Sequence, residues 1–191
     1  VPHFAENIYK EAGRLITLVN DIIKLSKLDE GSGEMAKEPV DLSEIVNETA
    51  ESLRAAADQH RISSEIHIEK AMIMGVRPVL AEMVYNLWEN AIKYNKDGGK
   101  IFVSISNEIR DGQNYVNLTI KDTGIGIPAT ERERIFERFY RVDKSHSKEI
   151  GGTGLGLSIV KHGARLHKAE IFVESEIDKG STFVIQFPKE A

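Results

Sequence analysis

Gly151-Gly-Thr-Gly154-Leu-Gly156-Leu157 opens onto an apolar-periodic stretch that continues to His167. Read by period alone, residues 153–167 are helical, and the glycines lie where that helix begins. Backbone N–H groups at a helix N-terminus, with the helix dipole behind them, form a ready cradle for an anion such as phosphate. The neighbouring residues exclude three familiar phosphate loops. No Gly-Lys-Ser/Thr follows, so this is not a Walker A loop. No strand leads directly into the glycines, and their spacing is wrong for a dinucleotide-binding turn. The lysine and catalytic-loop motifs that accompany a protein-kinase glycine loop are absent. A fold carrying this cradle must present it by another route.

Upstream, Asn86-Leu-Trp-Glu-Asn90-Ala-Ile-Lys93-Tyr94 spaces Asn86, Asn90 and Lys93 by 4 and 3, which puts them on one stripe of a helix. Leu80, Val84, Leu87 and Ala91 take another stripe, the one expected to face a core. An amide oxygen suits Mg²⁺, a hard cation usually shared with nucleotide phosphates. Lys93 offers a compact positive charge for the same phosphates. For an isolated Asn-x-x-x-Asn, a solvated helix face is the commoner explanation. Asp122-Thr-Gly124-Ile-Gly126 follows a strand-like run. Its carboxylate can accept from the exocyclic amino group of adenine, and its glycines let backbone approach closely. Turns after strands often look alike, so the order of the motifs carries the argument. Arg134-Ile-Phe-Glu-Arg-Phe139-Tyr-Arg141 stands between Asp122 and the glycine loop. Phe136 and Phe139 read there as packing anchors, Tyr140 and Arg141 as groups that reach a nucleotide.

In this order the four motifs resemble the N, G1, F and G2 boxes of the sensor histidine kinases of two-component signalling, over nearly the whole chain. The resemblance implies the Bergerat ATP site, shared with type II topoisomerases, mismatch-repair ATPases and the ninety-kilodalton heat-shock chaperone. The Phe136 to Arg141 box separates histidine kinases from the topoisomerase and chaperone branches. Carried over residue by residue, the resemblance places ATP contacts at Asn86, Asn90, Lys93 and Tyr94, and at Asp122, Gly124, Gly126 and Ile127. It adds Tyr140 and Arg141, then Gly152, Thr153, Gly154, Leu155, Gly156 and Leu157. Asn90 takes the Mg²⁺ position, and Tyr94 packs on the nucleotide. Gly180-Ser-Thr182 resembles a further small box, which brings Thr182 near the adenine. Residues 142–150 would form a lid that orders over bound ATP. The implied reaction is transfer of the ATP γ-phosphoryl group to a histidine, for relay to an aspartate of a response-regulator receiver domain.

The family's acceptor box, of the His-Glu-Leu-Arg-Thr-Pro type, has no match here, so no catalytic residue is assigned. His3, His60, His67, His146, His162 and His167 are scattered, without metal-ligand spacing, and read as structural or solvated. Residues 4–28 form a heptad helix: Ile8, Ala12, Leu15, Val19, Ile22 and Ser26 make a seam. Tyr9, Ile16 and Ile23 widen it, with Leu18 and Leu25 adding to that face. So broad a face suits a four-helix bundle, the alternative being a helix that packs back on its own domain. It resembles the family's second dimerisation helix, whose partners would be the missing acceptor helix and a second protomer.

Asp29-Glu-Gly31-Ser-Gly33 reads as a joint, dividing a bundle element (1–33) from an ATP-binding domain (34–191). Within the latter, short strands are expected at Pro39 to Leu42, Ile62 to Ile68 and Ala71 to Val76. A helix with an Asp41-to-Glu44 capping box runs to Gln59, and another from Pro78 to Tyr94. Lys100 to Asn107 and Tyr115 to Lys121 read as antiparallel neighbours. A short helix is expected near Thr130 to Glu137, and two last strands at Glu170 to Ser175 and Thr182 to Phe187. The fold class is a two-layer α/β sandwich of mixed sheet and helices.

The 191 residues, 41% apolar and 29% charged, suit one substantial domain plus a small extra element. A formal charge of -5 argues against nucleic-acid binding. With no cysteine, a disulfide framework and a thiolate metal site are both excluded. No run approaches the roughly 20 apolar residues of a membrane span. The expectation is a cytoplasmic piece of a longer, membrane-anchored protein. Rival readings are a non-catalytic ATP-gated interaction module and an anti-sigma-factor-type serine kinase. A topoisomerase-type ATPase would carry a catalytic glutamate where Asn86 stands. Lys168-Ala169, where many relatives have Gly-Gly, and Arg77, where an acidic residue is common, depart from the family pattern.

Overall fold

The structure is a computed structural model that describes residues 2–30, 35–142 and 152–189. The expected joint at 31–33, the lid beyond Val142 and Gly151 therefore lie outside the described residues. The first helix, α1 (Pro2–Glu30), leaves its seam in solvent: Ile8, Leu15, Ile16, Val19, Ile22 and Ile23 are all exposed. Leu25 departs from the expected bundle face. With Leu28 it is buried against Ile159, because this end of α1 packs back on the rest of the chain.

Strand β1 (Glu38–Asp41) pairs antiparallel with β3 (Met72–Gly75) in a ribbon of its own. Helix α2 (Leu42–Gln59) is capped by Asp41, whose carboxylate accepts from the Ser43 N–H at 3.0 Å. This is the Asp41 half of the expected box. Then come β2 (Ser63–Ile68) and α3 (Arg77–Lys93), which starts with Pro78 at a position where its missing N–H costs nothing. Arg77 puts a cation at the N-terminal end of α3, the unfavourable end of the dipole. Glu48 of α2 offsets it through a 2.7 Å ion pair.

The main sheet has five strands in the order β2-β4-β5-β7-β6, with β4 (Lys100–Arg110), β5 (Gln113–Asp122), β6 (Glu170–Glu176) and β7 (Gly180–Pro188). Only β2–β4 is parallel. The register aligns Ile66, Val103, Ile120, Phe183 and Val173 across one face. These strand residues join the same core as the inner stripes of α2 and α3 and residues Val160 and Ala164 of α4 (Gly156–Leu166). Trp88, Leu87, Met83, Leu80 and Ile45 fill its centre. The layers are thus the expected sandwich of helices on a mixed sheet.

Three local expectations change. The β4–β5 hairpin is longer at its turn end than expected, because its residues there face solvent and leave a weak alternation. Where one short helix was expected there are two single 3₁₀ turns, Ala129–Glu131 and Arg134–Phe136. Helix α4 begins at Gly156, so Thr153 to Leu155 are loop; Gly154 has φ +73°, outside helical space.

Candidate functional site

Helices α3 and α4 pack side by side, and the glycine loop lies close against the polar stripe of α3. A Cβ on Gly156 would lie 2.6 Å from Asn86 Oδ1, so only glycine lets the start of α4 sit against this stripe. Between them lies a cavity of about 330 Å³. The α3 stripe contributes Asn86, Asn90, Lys93 and Tyr94; the loop contributes Gly152, Thr153, Gly154, Gly156 and Leu157. Tyr140 and Arg141 close one side. The segment before them is tied to the loop: the Phe139 N–H donates to Gly154 O at 2.9 Å, and Arg141 Nη1 donates to Gly152 O at 3.2 Å.

Phe139 is not the packing anchor expected of it. It adopts φ +63° and its ring is 59% exposed, since its backbone is committed to the loop and its side chain is turned outward. Phe136 does pack against the core. Tyr140 is held by two partners, the Arg134 guanidinium 4.2 Å above its ring and the Glu131 carboxylate that accepts from its hydroxyl.

The lysines of the cavity are paired with carboxylates. Lys93 pairs with Glu89 at 2.8 Å. Asn86 Nδ2 donates to Glu82 O at 2.8 Å. The Asn90 amide makes no hydrogen bond among those of the described residues, although it is half-buried and lines the cavity. That leaves an oxygen donor of the kind a hard cation takes.

Asp122, Gly124, Gly126, Ile127, Leu155 and Thr182 do not line this cavity. Asp122 lies behind it, joined through Tyr94. The Ile125 N–H donates to Tyr94 O at 3.0 Å, and a Cβ on Gly124 would sit 2.1 Å from that same oxygen. Asp122 is buried, and its Oδ1 accepts from Gly124 N–H at 2.7 Å and Ser181 N–H at 3.3 Å. Burial pushes its carboxyl above the ordinary value of 3.8, against the opposing pull of those two bonds. The turn is braced further where Ile127 N–H donates to Ser175 Oγ at 2.8 Å. Leu155 is buried, and its role is structural: its carbonyl accepts from Ile159 N–H and Ser158 Oγ.

Thr182 pairs with Lys121 and Glu174, on the face of β7 turned away from Ser181, Phe183 and Ile185. The residue that meets Asp122 is Ser181. Strict alternation back from the buried Phe187 and Ile185 would have picked it. Sequence reading also missed Glu82 and Glu89, each one helical turn from a residue it singled out. It missed Thr17, Asp21 and Lys24 of α1, which reach the cavity on an i, i+4, i+7 stripe. Thr153 Oγ1 donates to Asp21 Oδ2 at 2.7 Å, and Lys24 pairs with Glu82 at 2.7 Å.

Fold and cavity together define the Bergerat class of α/β sandwich, in which a helix face and a separate loop share the ligand. Residues 75–191 match the family of histidine kinase-, DNA gyrase B-, and HSP90-like ATPases, and the chain belongs to it. Among curated proteins it is 38% identical over 190 residues to the sensor-like histidine kinase SenX3 of Mycolicibacterium smegmatis, covering 99% of this chain and 48% of that one. The chain thus spans about half of that relative's length. Among solved structures, the mycobacterial sensor histidine kinase MprB superposes with TM-score 0.70 at 30% identity, over 80% of this chain and 97% of that one. Full-length ShkA, in complex with AMPPNP, gives TM-score 0.80 at 27% identity, over 97% of this chain and 38% of that one. The chain is a histidine kinase-type ATPase domain, a class that binds ATP.

Proposed function

We propose that this domain positions Mg-ATP so that its γ-phosphoryl group passes to a histidine on a separate bundle helix, for relay to a response-regulator receiver domain. The observation that carries this reading is the convergence of Asn90, Lys93 and the glycine loop on one cavity. Mg-ATP, when bound, supplies the electrophilic phosphorus and the divalent charge that offsets the phosphates. Asn90 holds the cation through its amide oxygen, with Asn86 alongside. Lys93, once it releases Glu89, meets phosphate oxygens, and the N–H groups of residues 154–157 cradle them. Asp122 reads adenine with the carboxylate oxygen not engaged by Gly124 and Ser181, while Tyr94 packs on the base. That ShkA, which superposes over 97% of this chain, is solved in complex with AMPPNP supports nucleotide binding.

No residue of the cavity is assigned as a general base, and the nucleophile is the acceptor imidazole. Positioning and charge stabilisation are the domain's contribution. No described helix is long and apolar enough to cross a membrane; we assign this domain to the cytoplasmic side of a membrane-anchored protein. The deciding experiment is incubation with γ-labelled ATP and Mg²⁺, with and without a dimerisation fragment bearing a histidine box from the longer gene. Label on the added histidine establishes the kinase reading. Tight binding without transfer under any pairing replaces it with a gated binding module.

A further inference from the structure

Helix α1 presents two different faces. Its seam of Ile8, Leu15, Val19 and Ile22 points into solvent, whereas Thr17, Asp21 and Lys24 reach the cavity and Leu25 and Leu28 bury against Ile159. The second face thus lines the proposed nucleotide site from a different part of the chain. Its central contact is anionic. Asp21 Oδ2 accepts from Thr153 Oγ1 at 2.7 Å, within the loop whose N–H groups favour negative charge. Thr153 Oγ1 in turn accepts from Leu155 N–H at 3.3 Å, so the carboxylate is bonded into the cradle itself. The Lys24–Glu82 pair at 2.7 Å fixes the helix register, and the Leu25–Leu28–Ile159 cluster supplies the apolar hold.

We propose that Asp21 is a built-in competitor of the nucleotide phosphates, so that docking of α1 and binding of nucleotide exclude one another. A carboxylate and a phosphate oxygen ask for the same donors, and their charges repel at this distance. Apparent affinity is then the intrinsic affinity multiplied by the fraction of molecules with α1 undocked. Linkage makes the effect reciprocal: bound nucleotide must weaken the hold of α1 by the same factor. The bundle seam lies on the other face, so helix-bundle assembly and release of the cavity are not in steric conflict. Anything that rotates or withdraws α1 changes nucleotide affinity without touching the site's own residues.

This rests on the nucleotide reading above, and the test separates the two. Dissociation constants for ATP with Mg²⁺ are measured by calorimetry on the full chain, on Asp21→Ala and on Leu25→Asn. The second variant loosens docking through the apolar cluster, away from the cavity. Loss of one hydrogen bond of ordinary net strength predicts that Asp21→Ala binds about threefold to tenfold more tightly, with a gain of the same sign in Leu25→Asn. Amide exchange in residues 17–28 rises when nucleotide saturates the wild-type chain. Equal affinities in all three proteins, or weaker binding in Asp21→Ala, overturn the competition. If none of the three binds ATP, the nucleotide reading itself fails.

Discussion

Asp122 and His167 are buried titratable groups whose environments act in opposite directions on acid stability. Asp122 has its pKa raised by burial, so between 3.8 and the raised value the folded chain holds more protons than the unfolded one. Its ionised form is a liability above that window, relieved as pH falls through it. Asp122→Asn keeps an oxygen for the Gly124 and Ser181 N–H groups and removes the charge. Its unfolding midpoint at pH 7 is therefore expected at or above wild type, and the gap should close as pH is lowered. Adenine preference over guanine should be lost at the same time; a variant that still prefers ATP to GTP would refute the assigned role. His167 is the reverse case. Burial lowers its pKa below 6.5 while Nε2 accepts from Val76 N–H at 3.0 Å and Nδ1 donates to Gly163 O at 2.7 Å. Above 6.5 this arrangement contributes fully; its contribution falls as pH drops from there towards the lower folded value. His167→Leu strands the Val76 N–H, which costs about 1–3 kcal/mol, and thermal melts from pH 7.5 to 5 should show a flatter dependence than wild type. The stripe of Asn86, Asn90 and Lys93 was legible because helical spacing is rigid. Ser181 was missed because two adjacent hydroxyl residues in a strand differ only in phase, and the phase has to be carried back from Phe187 and Ile185.

The pairing of α3 with α4 sets the width of the cavity, and its tightest point is Gly163. A Cβ there would come 2.4 Å from Met83 Sδ and 3.1 Å from Val79 Cγ1, and Met83 is buried. Gly163→Ala gains up to about 1 kcal/mol in helix propensity but overpacks the contact at a cost of about 1–3 kcal/mol. A net loss of stability is expected, measurable by urea titration, and Met83→Val in the same chain should recover part of it. Lys168, in the turn after α4, has φ +54°, a conformation that suits glycine. Lys168→Gly should therefore leave stability unchanged or raise it by up to about 1 kcal/mol, in contrast to the usual penalty for introducing glycine. The helices and central strands were legible as elements because each has a long one-sided apolar pattern. The two 3₁₀ turns and the late start of α4 were not. Over so few residues a helical period cannot be told from a sequence of turns, and Gly154 leaves helical space for a reason visible only in three dimensions, its bond to Phe139.

At the scale of the molecule, α1 is the element least explained by its own chain. Ile8, Leu15, Ile16, Val19, Ile22 and Ile23 form an exposed apolar stripe of the kind that marks an interaction surface. Sedimentation should show concentration-dependent association of the chain, abolished in Leu15→Glu/Ile22→Glu with the catalytic fold intact by circular dichroism. That the helix carries a broad, one-sided apolar face was readable from its heptads; that its other face meets the cavity was not, since polar residues at 17, 21 and 24 look like any solvated stripe. The pairing of β2 has a different kind of consequence. Its partner in the sheet is β4, parallel to it and beyond α3, while β4, β5, β6 and β7 are joined by antiparallel contacts. During synthesis, then, β2 emerges from the ribosome with no template to zip onto, and it waits until the β4–β5 hairpin has left the exit tunnel. The segment that builds the cavity wall, α3, is held inside that waiting loop. The nascent chain therefore acquires its ligand site late and in one cooperative step, so a polypeptide stalled before Asp122 should be wholly protease-sensitive from β1 onward.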